Sequence, residues 1–414
     1  MSDVDYVLPL RWTTDEGLGE LTAYLRELSR YARVIVVDGS PPDLFEHHRQ
    51  QWAGLVTHVP PQPDGFLNGK VTGVHTGLRL ATAERVVIAD DDVRYDAESL
   101  RRTVALLDTA DLVGPQNVFD PMPWHAAWDT SRSLLNRAVA ADYPGTFAVR
   151  RSTFLRMGGY SGDVLFENLE LMRTVRANGG TVARPRDIYV ARLPPSQEHF
   201  LGQRVRQAFD DLAQPWRLAT FLPVLPAALS GRRGRRAVGV GLVGSVLLAE
   251  VGRRRAGGSK RFPRRTVLFA PAWVLERSVC VWLALGQRVF LGGVRYAGQR
   301  LPTAASSPRD LRLRRAGTSP LVAPGSPEPT RSVRPVAEGL AAGAAASAQR
   351  NGAAAGVDLA ALVVDHAEGA AHQQRTVAVG RDDGDVRVLV LGTVVHHGRS
   401  AARDKARETV SPNE

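Results

Sequence analysis

VVIADDDVRY, residues 86–95, runs a short apolar stretch straight into Asp90, Asp91 and Asp92. Three adjacent carboxylates repel one another, so such a run sits either in open water or around a cation. The preceding RVVIAD reads as a buried strand, which puts the acids at its carboxyl end. RVIVVDGSPPD at 33–43 repeats the layout, ending an apolar strand in Asp38 before Gly39, Ser40, two prolines and Asp43. Further short apolar runs lie around them: VDYVLPL, LVTHVP and DLVGPQ. Between them stand helical patterns such as DEGLGELTAYLRELSRYA and NGKVTGVHTGLRLATA. Leu18, Leu21, Leu25 and Leu28 recur at three- and four-residue intervals and predict one apolar helical face. Strands alternating with such helices predict βαβ units and a mostly parallel, Rossmann-like α/β sheet with covered faces. Ligands gather there at the carboxyl ends of strands, near the point where strand order reverses.

The chain has 414 residues, 44% of them hydrophobic, ample for a core. A single cysteine, Cys280, excludes an internal disulfide framework and a cysteine zinc site. The start, MSDVDYVLPLRW, has acids where a signal peptide needs a basic and then a long apolar region, so residence in the cytoplasm is expected. The net charge of +11 predicts a polyanionic partner. RRGRR at 232–236 and RRRAGGSKRFPRR at 253–265 alternate with apolar segments, which favours an anionic membrane surface over nucleic acid.

Three regions are expected: an α/β domain over 1–215, membrane-associated or re-entrant helices over 216–300, and a low-complexity, largely disordered tail over 301–414. In the second, WRLATFLPVLPAALS and AVGVGLVGSVLLAEVG are shorter than the roughly 20 residues of a spanning helix. TVLFAPAWVLERSVCVWLALG carries Glu276 and Arg277 near its middle. Interfacial helices with every basic loop on one side satisfy both features. The tail is rich in Ala, Pro, Ser, Gly and Arg, without apolar periodicity, although RTVAVG and DVRVLVLGTVVHH could pair as strands.

Asp90 and Asp92 lie two apart and can face one side of their turn, where a hard divalent cation takes its other ligands from phosphate and water. In isolation an acidic run reads first as an ordinary solvated turn, and the neighbouring stretches shift that balance toward a cation site. Asp38 at its strand end can accept hydrogen bonds from a nucleoside, and DGFLNGKVTG at 64–73 puts Lys70 at a helix start suited to a diphosphate.

Together these stretches resemble the family 2 glycosyltransferases of GT-A fold, of the membrane-associated bacterial type, over residues 4 to about 215. The resemblance implies that Asp38 and Ser40 meet the nucleotide with Lys70 and Asp90, and that Asp90 with Asp92 holds Mg²⁺ or Mn²⁺ against the diphosphate. YPGTFAVRRSTFLRMGGYSGDVLFENLELMRTVRANGG at 143–180 looks like the family's acceptor region. There the usual Glu-Asp is Glu167-Asn168, and an amide cannot take a proton from an acceptor hydroxyl. Glu167 is the nearest replacement as base, with Asp163 and Glu170 as competitors. Gln203, Arg206 and Gln207 stand where relatives carry Gln-x-x-Arg-Trp, with the aromatic missing. Arg206 would then neutralise the departing diphosphate, and His199 would add a metal ligand. The function implied is inverting sugar transfer from a nucleotide-sugar, a UDP-sugar first, to a hydroxyl acceptor. That acceptor is expected to be lipid-linked or a glycan, at the cytoplasmic face of the membrane in cell-envelope biosynthesis. A nucleotidyltransferase and a non-catalytic membrane-bound homologue are the alternatives.

Overall fold

The computed structural model describes residues 3–296, 299–315, 359–368, 371–382 and 385–397. Two compact units divide the chain, residues 1–328 and 329–414. The first opens with β1 (Val4–Leu10), α1 (Leu18–Leu28), β2 (Arg33–Asp38), α2 (Pro42–Gln51), β3 (Thr57–Val59), α3 (Gly69–Leu80) and β4 (Arg85–Ala89). β5 (Val93–Arg94), α4 (Ala97–Ala105), β6 (Leu112–Val113), β7 (Gln116–Phe119), α5 (Trp124–Val139) and β8 (Thr146–Arg150) follow. α6 (Arg151–Arg156), α7 (Glu167–Ala177), β9 (Val182–Ala183) and β10 (Tyr189–Arg192) complete the α/β part.

These strands form a seven-stranded sheet of order β3-β2-β1-β4-β8-β6-β9 and a small sheet β5-β10-β7. β1, β2, β3 and β4 run parallel, whereas β8 is antiparallel to β4 and β6. Strand order turns between β1 and β4, so their carboxyl ends frame a crevice. The expected mostly parallel α/β sheet is what the structure has.

Alternation along the strands explains why they read as unbroken apolar runs. Tyr6, Leu8, Val34, Val36, Val87 and Ala89 pack on the side of α1 and α4, with Leu21, Leu25, Leu100 and Val104. Val7, Ile35, Val37, Val86 and Ile88 pack on the other side, with Val74 and Leu78 of α3 and Leu171 and Met172 of α7. Both faces are covered, so both sets must be apolar. Leu18, Leu21, Leu25 and Leu28 are all buried, as their spacing predicts, each contributing about 1.5–3 kcal/mol.

α3 lies close on β1 because Gly77 has no side chain: a Cβ there would come within 2.3 Å of Val7 Cγ1. Gly77→Val is therefore expected to cost about 1–3 kcal/mol of stability through overpacking, read from the urea midpoint.

Beyond β10 the unit is helical: α8 (Gln197–Gly202), α9 (Arg204–Ala208), α10 (Pro215–Phe221), α11 (Val224–Leu229), α12 (Arg232–Arg254) and α13 (Ala270–Phe290). Among the described residues one helical stretch, 264–290, is long and apolar enough to cross a membrane, with 44% of its apolar window buried against the protein. Glu276 and Arg277 near its middle are engaged inside the fold. Arg277 makes two bonds to Asp211, and Glu276 accepts from Trp128 Nε1 at 2.7 Å. Val240, Val243, Leu247 and Val251 on α12, with Val279, Trp282, Leu283 and Phe290 on α13, remain exposed.

The chain then returns to the sheet domain through β11 (Val294–Tyr296), β12 (Gln299–Leu301) and α14 (Pro308–Arg315). Composition placed residues 301–315 with the tail, but their backbone is tied to the first unit: Leu165 and Phe166 donate to the carbonyls of Thr303 and Ala304 at 3.0 and 2.9 Å. Of the expected disordered tail, residues 316–358 and 398–414 lie outside the described residues. The second unit holds three antiparallel strands, β13 (Leu359–Glu368), β14 (Ala371–Asp382) and β15 (Asp385–His397), where the sequence suggested a pair.

Candidate active site

A cleft of about 530 Å³ opens at the carboxyl ends of β1 and β4. Asp90 continues the side of β4 that carries Val86 and Ile88, so it emerges beside α3. There Lys70, in the first turn of α3, puts Nζ 2.5 Å from Asp90 Oδ1 and 2.7 Å from Glu167 Oε1. The Asn68 side chain caps that helix by accepting from the Lys70 N–H, and it takes a second bond from Tyr296 Oη. Burial works against the Lys70 ammonium, but Asp90 and Glu167 outweigh it and hold the group firmly charged.

The small sheet delivers the second cation. β10 ends at Arg192, whose Nε lies 2.7 Å from Asp92 Oδ2, with the guanidinium 3.8 Å from Asp90. Leu193 donates to the Asp92 carbonyl at 2.7 Å, fixing this register. Asp91 is held from the other side by Trp12 Nε1 at 2.5 Å. An ammonium, a guanidinium and an indole N–H thus make three neighbouring acids tolerable. Burial raises the Asp92 carboxyl above its usual range, Arg192 opposes the shift and Asp90 reinforces it. Asp92 Oδ1 is buried and has no hydrogen-bond partner. That unpartnered oxygen beside a second carboxylate fits a hard divalent cation completed by phosphate and water.

Lys70, Asp90, Asp92, Glu167, His199 and Arg206 all line this one cleft. Several expectations change in detail. Asp38 and Ser40 are not in the lining, although Gly39 between them is. Asp38 shares the side of β2 that holds Val34 and Val36, so it turns inward and is 1% exposed. Its Oδ2 meets His48 Nδ1 at 2.6 Å and His58 Nε2 at 3.0 Å, and its Oδ1 accepts from Ser40 N. Ser40 Oγ accepts from Trp12 N at 2.9 Å. The competitors of Glu167 also point elsewhere. Glu170, expected on the same helical face, is buried and accepts from Ser306 N at 2.7 Å. Asp163 accepts from Leu67 N. His199 lies against Gln203 and does not converge with Asp90 and Asp92 as a third ligand. Among the described residues the His/Asp group whose ligand atoms do converge is Asp38, His48 and His58, in which both histidines bond the aspartate and His58 is half-buried. Arg206 stacks over the Tyr296 ring at 4.9 Å.

Burial pushes the Asp38 carboxyl up, but hydrogen bonds from His58, Ser40 and His48 outweigh it and bring the group to about 2. The native value lies below the unfolded one of ~3.9, so the stabilisation is present above that pH and is lost as pH falls through about 2. Wild type is expected to exceed Asp38→Asn by about 2 kcal/mol near pH 6, with the gap closing near pH 2, in urea titrations.

Sequence reasoning missed Arg192, Trp12 and Tyr296. Each sits in a segment without motif character, and only the sheet register and the returning chain bring it to the acids.

Residues 17–163 match the model of Glycosyl transferase family 2. This segment is a family 2 glycosyltransferase domain. The glycosyltransferase domain also resembles solved structures. One is the mannosyltransferase PcManGT from Pyrobaculum calidifontis, solved with GDP-Man and Mn²⁺, at 19% identity over 68% of this chain and 87% of that one, TM-score 0.41. Another is glucosyl-3-phosphoglycerate synthase from Mycobacterium tuberculosis, solved with Mn²⁺, UDP and glucosyl-3-phosphoglycerate, at 17% identity over 51% and 78%, TM-score 0.35. S. aureus TarS 1-349 is 13% identical over 72% and 95%, TM-score 0.37. No residue role is carried across at these levels. No curated protein matches the chain in sequence.

Proposed function

We propose that this glycosyltransferase moves a sugar from a nucleotide-activated donor, a UDP-sugar, to a hydroxyl of a lipid-linked or glycan acceptor, with inversion at the anomeric carbon. The observation that carries the reading is the convergence of Asp90, Asp92, Lys70, Arg192 and Glu167, from separate segments, on one cleft at the switch point of the sheet. Mg²⁺ or Mn²⁺ held by Asp90 and Asp92 would supply positive charge against the donor diphosphate. Lys70 offers its ammonium to the cleft from the first turn of α3, at the positive end of the helix dipole, a setting that suits phosphate. Arg192 and Arg206 stand where charge builds on the diphosphate as the anomeric bond breaks. Glu167, oriented by Lys70, takes the proton of the acceptor hydroxyl as that oxygen attacks from the face opposite the leaving group. Exposed apolar residues on α12 and α13, bordered by exposed Arg232, Arg233, Arg235, Arg236, Arg264 and Arg265, support attachment to an anionic membrane surface on the cytoplasmic side.

The test is calorimetric binding of UDP and GDP to the full chain in detergent, with and without Mn²⁺, for wild type and Asp92→Ala. Metal-dependent UDP binding that the variant loses is the expected result. Absence of binding by either nucleotide would remove the donor assignment.

A further inference from the structure

A second cavity, about 500 Å³, runs between α5, α10, α11, α12 and α13. Its walls are largely apolar, with Trp216, Phe221, Val224, Leu242, Leu248 and Trp273 prominent. It is not isolated from the cleft. Arg217 lines both this groove and a polar chamber of about 190 Å³, and Glu167, Arg192 and Gln207 line both that chamber and the cleft. The three spaces therefore adjoin: the acids of the cleft, a chamber walled by guanidinium groups and an apolar groove share side chains as their common walls.

The chamber gathers four guanidinium groups, of which Arg132 pairs with Asp142 at 3.1 Å and Arg192 with Asp92 at 2.7 Å. Arg132, Arg192, Arg217 and Arg277 face the chamber against Glu167 and Asp210. A single carboxylate, Asp211, serves both Arg277, at 2.7 and 2.8 Å, and Arg217, at 2.8 Å. Arg217 is 2% exposed, yet its Nε–H is not aligned with Asp211 and has no hydrogen-bond acceptor. A buried guanidinium donor without an acceptor is costly, and an anionic oxygen in the chamber would satisfy it.

We propose that the groove and chamber bind a phosphate-bearing lipid: its hydrocarbon chain lies in the groove, its phosphate meets Arg217 and Arg132, and its headgroup hydroxyl reaches the cleft. This rests on the transferase reading and names the acceptor class within it. The groove opens beside exposed Trp216, Leu229, Val240 and Leu247, so a chain can slide in from a bilayer without crossing water.

Gly241 and Gly244 of α12 line the groove, and a Cβ at either meets no atom within 4 Å. Leucine there fills the groove while improving helix propensity. The experiment uses the full chain and vesicles containing phosphatidic acid with brominated acyl chains, reading quenching of the buried Trp273 as the difference between wild type and Trp273→Phe. Vesicle flotation and Mn²⁺-dependent UDP binding are followed in parallel. Saturable quenching is expected, weakened at least about tenfold by Gly244→Leu and by removing the phosphate (brominated diacylglycerol), while flotation and UDP binding persist. Gly241→Leu serves if Gly244→Leu does not fold. Quenching unchanged by the leucine would overturn the proposal, leaving a chain that only touches the outer face. Equal quenching by diacylglycerol would overturn the phosphate assignment. A shift from dimer to monomer on Gly244→Leu with quenching unaffected would assign the groove to a second copy. Loss of UDP binding in the wild type would strike the transferase reading instead, independently of the lipid result.

Discussion

Glu167→Gln is expected to lower turnover by about 10²–10⁴-fold, the usual contribution of a positioned general base, with little change in donor affinity. The amide keeps the shape of the side chain and cannot take a proton. The effect belongs in kcat, measured at saturating donor and acceptor, because the lost interaction forms only as the acceptor hydroxyl gives up its proton. A structural role alone would lower stability and leave the shape of the pH–rate profile intact, whereas loss of the base removes its acid limb. Glu170 supplies the control. It is buried against Ser306 rather than open to the cleft, so Glu170→Gln should disturb stability and spare that limb. Full activity of Glu167→Gln would remove Glu167 as the base beside Asn168, which stands where the family has its aspartate.

Asp92→Asn is expected to cost at least about a hundredfold in transfer, on the scale of removing one preorganised electrostatic group from an active site. Two consequences of the change separate in experiment. The variant loses the carboxylate proposed to hold a cation, and it also releases Arg192, which is 2.7 Å away in the wild type. Raising the Mn²⁺ concentration should restore part of the activity if cation affinity is the main loss. If the displaced arginine dominates, added metal changes nothing, and Arg192→Lys should show a defect of similar size.

Much of the sheet was legible in the sequence because local pattern and packing agree. Apolar runs covered on both faces by amphipathic helices leave few alternatives, and Leu18 to Leu28 show it most simply. The cleft was legible where a strand end announces its own side chain, as at Asp90 and Asp92, or where a helix start does, as at Lys70. It failed at Asp38 for a reason internal to strands. The same motif logic applied to both strand ends, but alternation turns Asp38 toward His48 and His58 and turns Asp90 toward Lys70. His199 lines the cleft as expected but lies against Gln203 instead of converging with Asp90 and Asp92. Glu167 and Glu170 lie on one helix with unlike surroundings, since the segment that covers Glu170 comes from more than a hundred residues downstream. No window around residue 170 contains that information.

The returning segment from Val294 to Ser306 sets a condition on synthesis. Every acid of the cleft has left the ribosome well before Tyr296, which caps the helix of Lys70 through Asn68, and before Thr303 and Ala304, which fix the backbone leading into Glu167. A nascent chain or a proteolytic fragment stopping short of that point holds the whole acidic motif and lacks the wall that aims it. The finished geometry of the cleft is thereby tied to completion of α12 and α13, so a partial product carries the acids without the segment that orients their neighbours.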